Sequence, residues 1–432
     1  MNVVLVNPVI HDFAAYDFWA RPLGLLWLGA ALRCGGAEVT LLDCMDPLSP
    51  HAPDEPRPRR REGRGRFIRT PISRPPALPD VGRRYCRYGL PPELLDRALE
   101  RLPRPEAVLV TSGMTYWYPG VAATVEQIKR RWPATTVLLG GVYASLCPEH
   151  ARRHGGADRV LPGPLEACLP AVWDLLGLRG APPAPEEVLP AHDLQHQADS
   201  AALLTSTGCP FRCDYCGVER LHPRCVRFPL ERVLREVKEI ASLGIRDVAI
   251  YDDAFLADRE RAAEVLARVA DLDLGLRLHA ASGLACRGMT PAVARAMVRA
   301  GFSTIRLGLE TADDTTQRAL GGKVTTAEFH AALDNLEAAG VARADVGVYV
   351  MVGMPGQGRA EVEQSVDAVL SAGARPHLAE YSPVPGSPLF DRARAASRFD
   401  LDEPLFHNPT LLPCADDVGL LAELKRRVRG HG

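Results

Sequence analysis

The sequence predicts an α/β protein in two parts, a doubly wound parallel sheet followed by an open barrel of six βα units, and three observations carry that prediction. Short apolar runs alternate with helical periodicity from the N-terminus onward. A Pro-rich stretch with little apolar periodicity, residues 181–200, then interrupts the rhythm. Beyond it the alternation resumes as six strand-helix repeats, short of the roughly 250 residues that an eight-fold barrel takes.

In order, Asn2 to Val6 reads as a strand, Leu23 to Cys34 as a helix, and Val39 to Leu42 as the next strand after Gly35-Gly36. Strands near Ala107 to Thr111, Val137 to Leu139 and Asp158 to Leu161 follow, with helices near Val121 to Arg131 and Glu149 to His154 between them. Such alternation makes a parallel sheet, whose ligands sit beyond the carboxyl ends of the strands. An Arg- and Pro-rich insertion at about residues 53–92, containing RPRRREGRGRF, breaks the rhythm. It reads either as a solvated basic loop or as a lid for an anionic substrate or redox partner, with Tyr85 and Tyr88 as anchors. Past the 181–200 linker, strands recur near Ala202, Asp247, Leu276, Thr304, Val346 and Leu378, with helical patterns between them. The expected domains are thus residues 1–180, 201–390 for the barrel, and a C-terminal extension, 391–432, that ends in a helix from Asp417 to Arg429.

Composition excludes several classes. With 47% hydrophobic and 24% charged residues among 432, the chain is a soluble folded protein, neither disordered nor a membrane bundle. Lys+Arg 51 against Asp+Glu 53 leaves a formal charge of -2, so no global field favours nucleic acid. The apolar run Leu23 to Leu32 is about half the ~20 residues of a membrane span and has no basic segment before it. Eleven cysteines without a secretion signal point to reduced thiols and a cytoplasmic location.

The chemistry is concentrated in TGCPFRCDYCG, which follows the first barrel strand and sets Cys209, Cys213 and Cys216 in a C-x3-C-x2-C spacing. Three thiolates on one loop can hold three irons of a cubane and leave the fourth open to a substrate, whereas electron-transfer clusters take four. A zinc site would need a fourth ligand, such as His222 or Cys225.

That motif, with Tyr215 before its last cysteine and a six-fold βα barrel around it, resembles the radical S-adenosylmethionine (SAM) superfamily. The segments VNPV, RPLGLLWLGAALR, LLDC, VLLGGVYASLCPEH and GADRVLPG resemble the Rossmann-like cobalamin-binding domain that precedes the barrel in one large subgroup of class B methylases. The resemblance implies a 4Fe-4S cluster on Cys209, Cys213 and Cys216, reductive cleavage of SAM to a 5'-deoxyadenosyl radical, a small-molecule substrate, and an electron donor such as flavodoxin or ferredoxin. It carries over further SAM contacts: Tyr215 near the adenine, Asp252 or Asp253 of YDDAF on the methionine ammonium, Ser282 and Glu310 on the carboxylate or ribose, and Gly353 and Pro355 of VGMPG along the adenine. In the first domain it points to Tyr116, Trp117, Gly140 and Gly141 as contacts to cobalamin or substrate.

The chain also departs from the pattern. Asn7-Pro-Val-Ile-His11-Asp12 stands where some cobalamin proteins carry Asp-x-His-x-x-Gly, and PGPLE keeps only Gly163 and Glu166 of an acidic Gly-Glu-Gly-Glu element. His11 therefore reads as a loop residue and not as a cobalt ligand. Three outcomes stay open: cobalamin-dependent methylation of an unactivated carbon, a cobalamin-independent radical rearrangement, cyclisation or coupling, and a non-catalytic iron–sulfur or zinc sensor.

Overall fold

The structure is a computed structural model that describes residues 1–53 and 59–430, so residues 54–58 of the basic insertion lie outside the described residues. The chain divides into two compact units, Met1–Ala201 with Pro404–Phe406, and Ala202–Glu403 with His407–Gly432.

In the first unit β1 (Asn2–Asn7), β2 (Glu38–Asp43), β3 (Ala107–Val110), β4 (Thr136–Leu139) and β5 (Arg159–Val160) form one parallel sheet in the order β5-β4-β3-β1-β2. The central strands are unbroken apolar runs because both faces are covered, as a doubly wound sheet requires. The winding reverses between β1 and β3, where a ligand crevice is expected beyond the strand ends.

The described residues of the basic insertion are folded, and the surface roles considered for its tyrosines do not hold. Cys86–Tyr88 pairs antiparallel with Ile10–Asp12 in the loop after β1, and both Tyr85 and Tyr88 are 4% exposed. Their hydroxyls donate to the carbonyls of His11 and Phe13. A hairpin at residues 60–65 is held by charge: Arg60 and Arg21 both reach Asp17 and Asp199, with Asp17 fully buried. The unit also contains longer helices that the sequence reading lacked. Pro92–Arg101 starts on a proline pair that suits a first helical turn, and Leu165–Leu176 carries Pro170 in its middle.

The second sheet, which starts at the end of the first unit and continues through the second, consists of β6 (Ser200–Leu203), β7 (Asp247–Ile250), β8 (Arg277–Ala280), β9 (Phe302–Glu310), β10 (Val346–Val352) and β11 (Arg375–Glu380), each beside its predecessor. Neighbouring strands from β7 to β11 pair in parallel, and helices return the chain between strands, giving a partial (β/α)6 barrel. The last helix starts at Leu420, not Asp417, because the Asp417 carboxylate is spent accepting from the Gly419 and Leu420 amides.

Candidate active site

The cysteine loop leaves the barrel at the carboxyl end of β6 and is shaped by two glycines. Gly208 (φ +79) sits where a Cβ would lie 2.2 Å from the Arg224 carbonyl oxygen. Gly321 (φ +103), in the loop after β9, sits where a Cβ would lie 2.2 Å from the Arg212 carbonyl oxygen. The Asp214 amide donates to the Leu320 carbonyl at 3.3 Å, so the loop around residue 320 backs the cysteine loop.

Cys209, Cys213 and Cys216 line one solvent-open cavity of about 510 Å³, together with Tyr215, Asp252, Asp253, Ser282 and Lys323. Among the described residues, no three His, Cys, Asp or Glu side chains are grouped to hold a single metal ion. Thiols arrayed around a cavity instead suit a larger group, and their number and chemistry fit an iron–sulfur cubane. Burial pushes the Cys209 thiol up to about 11 and raises Cys213 and Cys216 as well. Lys323 offsets this in all three, and it is itself held charged: burial opposes the charge, but Glu310 and the nearby thiols keep its ammonium above the usual range.

Asp252 and Asp253 are not equivalent. Asp252 is buried and already saturated: one oxygen accepts from the Thr205 amide at 2.7 Å, the other from the Thr205 and Ser206 hydroxyls at 2.6 Å. Burial nevertheless raises its carboxyl to about 6. Asp253 accepts from the Gly208 amide through one oxygen at 2.8 Å. Glu310 has a left-handed backbone (φ +68), lies 3.7 Å from the Lys323 ammonium, and lines a smaller adjoining cavity with Tyr215. Gly353 and Pro355 are not among the residues lining either cavity. The turn they form is closed by Gln357, which accepts from the Gly353 amide at 2.9 Å and donates to the Met351 carbonyl at 3.1 Å. Lys323 is the site residue that sequence reasoning missed; its signal was a lysine after a glycine pair in an Arg-rich chain.

In the first unit, Gly141 (φ +88) sits where a Cβ would lie 2.5 Å from Ser112, whose hydroxyl donates to the Gly140 carbonyl. Ser145 bonds both the Gly141 carbonyl and the Gly163 amide, so the loops after β4 and β5 are joined. The Trp117 ring lies on Gly113 and donates to Asp12 at 2.7 Å, while Tyr116 is buried. His11 lies in the short strand after β1, and burial beside Arg87 pushes its imidazole down to about 4.

Residues 203–369 match the Radical SAM superfamily. That segment, the barrel around the cysteine cavity, thus resembles the radical SAM superfamily, a class whose cofactors are a 4Fe-4S cluster and SAM. The chain is 26% identical over 297 residues to an uncharacterised methyltransferase of Pyrococcus horikoshii, spanning 61% of this chain and 63% of that one. It is 31% identical over 123 residues to the hopanoid C-2 methylase of Rhodopseudomonas palustris, which is 27% of this chain and 23% of the methylase. In structure it resembles the radical SAM methyltransferase TsrM from Kitasatospora setae, solved with cobalamin and a 4Fe-4S cluster (TM-score 0.64, 17% identity, 92% of this chain and 76% of that one). It also resembles the cobalamin-dependent radical enzyme OxsB, solved with aqua-cobalamin and SAM (TM-score 0.60, 12% identity, 99% and 61%). At these identities the likeness is one of fold. No helix among the described residues is long and apolar enough to cross a membrane.

Proposed function

We propose that the protein reductively cleaves SAM at a cluster held by Cys209, Cys213 and Cys216, and transfers a methyl group to an unactivated carbon of a small molecule with the help of cobalamin in its first unit. The observation that carries this reading is the single cavity at the barrel's strand ends, where three thiols, one lysine and two carboxylates meet. When bound, the cluster supplies the electron that breaks the C–S bond of SAM, and cobalamin supplies the methyl carrier.

The chain's own residues bind and orient. Asp253 offers its second oxygen to the methionine ammonium, a charge-assisted contact, while Asp252 fixes the start of the cysteine loop through Thr205 and Ser206. Tyr215 walls the adenine side, Ser282 and Glu310 serve the carboxylate and ribose, and Lys323 keeps positive charge beside the thiolates. Gly353 and Pro355 act through the shape of their turn. In the first unit, the loops at Ser112, Gly140-Gly141 and Gly163, with Trp117, border the crevice we assign to cobalamin. A flavodoxin- or ferredoxin-type donor delivers the electron.

The test is anaerobic reconstitution with iron, sulfide and hydroxocobalamin, followed by assay of 5'-deoxyadenosine, retained cobalt and labelled methyl transfer. Stoichiometric cobalt with SAM cleavage is the expected result. An intact cluster that cleaves no SAM would overturn the reading. Cleavage without retained cobalt would favour the cobalamin-independent alternative.

A further inference from the structure

The cysteine loop has an outer side as well as the side that faces the cavity. Residues 210–227, which carry the chain on from Cys209, hold four guanidiniums, Arg212, Arg220, Arg224 and Arg227, against two carboxylates, Asp214 and Glu219. All four arginines are exposed, whereas Cys213 is buried and Cys209 and Cys216 are half-buried. Arg212 pairs with Glu219, and Arg227 pairs with Asp258, beyond the segment, at 2.8 Å. Arg220 and Arg224 have no ion-pair partner among the described residues.

Little chain separates that surface from the thiols. Val226 and Arg227 pair antiparallel with Thr207 and Ser206. One step further along the same ladder, a Cβ on Gly208 would lie 2.2 Å from the Arg224 carbonyl oxygen and 2.9 Å from the Cys225 Cα. Arg224 and Cys225 therefore run directly against the residue before Cys209. At the other end of the loop, the short helix Val218–Leu221 begins just after Cys216; Val218 lines the thiol cavity while Glu219 and Arg220 are exposed. The Arg220 side chain is laid over the Pro385-Gly386 turn, where a Cβ on Gly386 would lie 2.9 Å from its Nε. The two unpaired charges thus stand by the two ends of the cysteine loop.

We infer that this outer side of the cysteine loop, with Arg220 and Arg224 as its free charges, is the docking surface for a small acidic electron-carrier protein of the flavodoxin type. One electron passes from the carrier, which is oxidised, to the cluster, which is reduced. Tunnelling weakens steeply with distance, so the carrier has to reach the thiols across little covering chain. Exposed charges of one sign at that place steer and orient a partner of the opposite sign. The contact also suits a carrier that must leave after delivering its electron: electron-transfer complexes are small, below about 1,200 Å², and attraction between exposed charges is screened by salt. This deepens the proposed function and rests on the cluster being held by Cys209, Cys213 and Cys216.

The test uses the full-length protein, reconstituted with its cluster, and a dye-labelled bacterial flavodoxin as the probe, with binding read by fluorescence anisotropy at low and at high salt. The expected result is saturable binding that weakens with salt and weakens roughly tenfold in Arg220→Glu with Arg224→Glu. Arg235→Glu with Arg295→Glu makes the same charge change on the helices Leu230–Ser242 and Pro291–Arg299, and should leave binding within about twofold. SAM cleavage driven by reduced flavodoxin should fall in step with binding, whereas cleavage driven by dithionite should not change. If the variant reversed at Arg220 and Arg224 takes up no iron, Arg220→Gln with Arg224→Gln takes its place, and a several-fold weakening is expected. No saturable binding by the unmutated protein, binding indifferent to salt, or equal loss in the two reversed pairs overturns the inference. Dithionite-driven cleavage reports on the proposed function separately: cleavage without flavodoxin binding removes only the docking surface, and binding without any cleavage removes only the enzyme reading.

Discussion

Gly321 and Gly322 allow the support of the cysteine loop to be measured by adjacent substitutions that differ chiefly in what a new Cβ would meet. Both have positive φ, +103 and +62, but a Cβ on Gly321 would lie 2.2 Å from the Arg212 carbonyl oxygen and 3.3 Å from the Cys213 Cα, whereas one on Gly322 meets nothing within 4 Å. Gly322→Ala therefore costs only left-handed strain, about 1–2 kcal/mol. Gly321→Ala adds a collision with backbone that no side-chain rotation can relieve, on the order of 1–3 kcal/mol more. Because the atoms struck lie between Cys209 and Cys213, relief comes from shifting the loop. If about 1.4 kcal/mol of the collision is relieved that way, cluster occupancy falls about tenfold. The assay is iron and sulfide per chain after reconstitution, with urea unfolding as the control for global stability. Equal iron content in the two variants would refute the reasoning, because it would mean that the contact at residue 321 does not set the loop's position.

Two further outcomes follow from buried charge in the first unit. Asp17→Asn removes the fully buried carboxylate that faces Arg21 and Arg60, and should destabilise the unit by roughly 3 kcal/mol, at the low end for a broken buried pair because Asp199 remains; proteolysis within residues 53–92 should accelerate, and an unchanged urea midpoint would contradict this. Asp43 is raised from 3.8 to about 7, first by burial and then by Asp46, so the fold favours its protonated form. That contribution is complete below about pH 4 and is lost as pH rises through 7, a fall of at most about 4 kcal/mol. Asp43→Asn should flatten the decline in unfolding free energy between about pH 4 and about pH 7, and an unaltered slope would exclude Asp43 as its source.

The parallel strands were legible because strands covered on both faces must be apolar throughout, as in Val3 to Val6 and Ala107 to Val110. The cysteine spacing was legible for the same kind of reason: three cysteines on one loop are a local pattern. What the sequence hid was non-local. Tyr85 and Tyr88 sit in a basic stretch, yet they are buried because Cys86–Tyr88 finds a partner strand at Ile10–Asp12, far back in the chain. Lys323 reaches the thiols only because Gly321 lets its loop close on Arg212. The choice between Asp252 and Asp253 depends on hydrogen bonds from Thr205, Ser206 and Gly208, which lie on a different strand end.

The charge group that holds the residue 60–65 hairpin bears on how this chain could be shortened or recombined. Trimming the basic insertion as though it were a surface loop would remove Arg60 and leave buried Asp17 to its longer ion pair with Arg21. A stable shorter protein would have to replace Asp17, Arg21 and Asp199 in the same step. Those three positions and the insertion thus form one exchangeable block, and a chimera that takes the insertion from one relative and the loop after β1 from another should fold poorly even when each parent is sound.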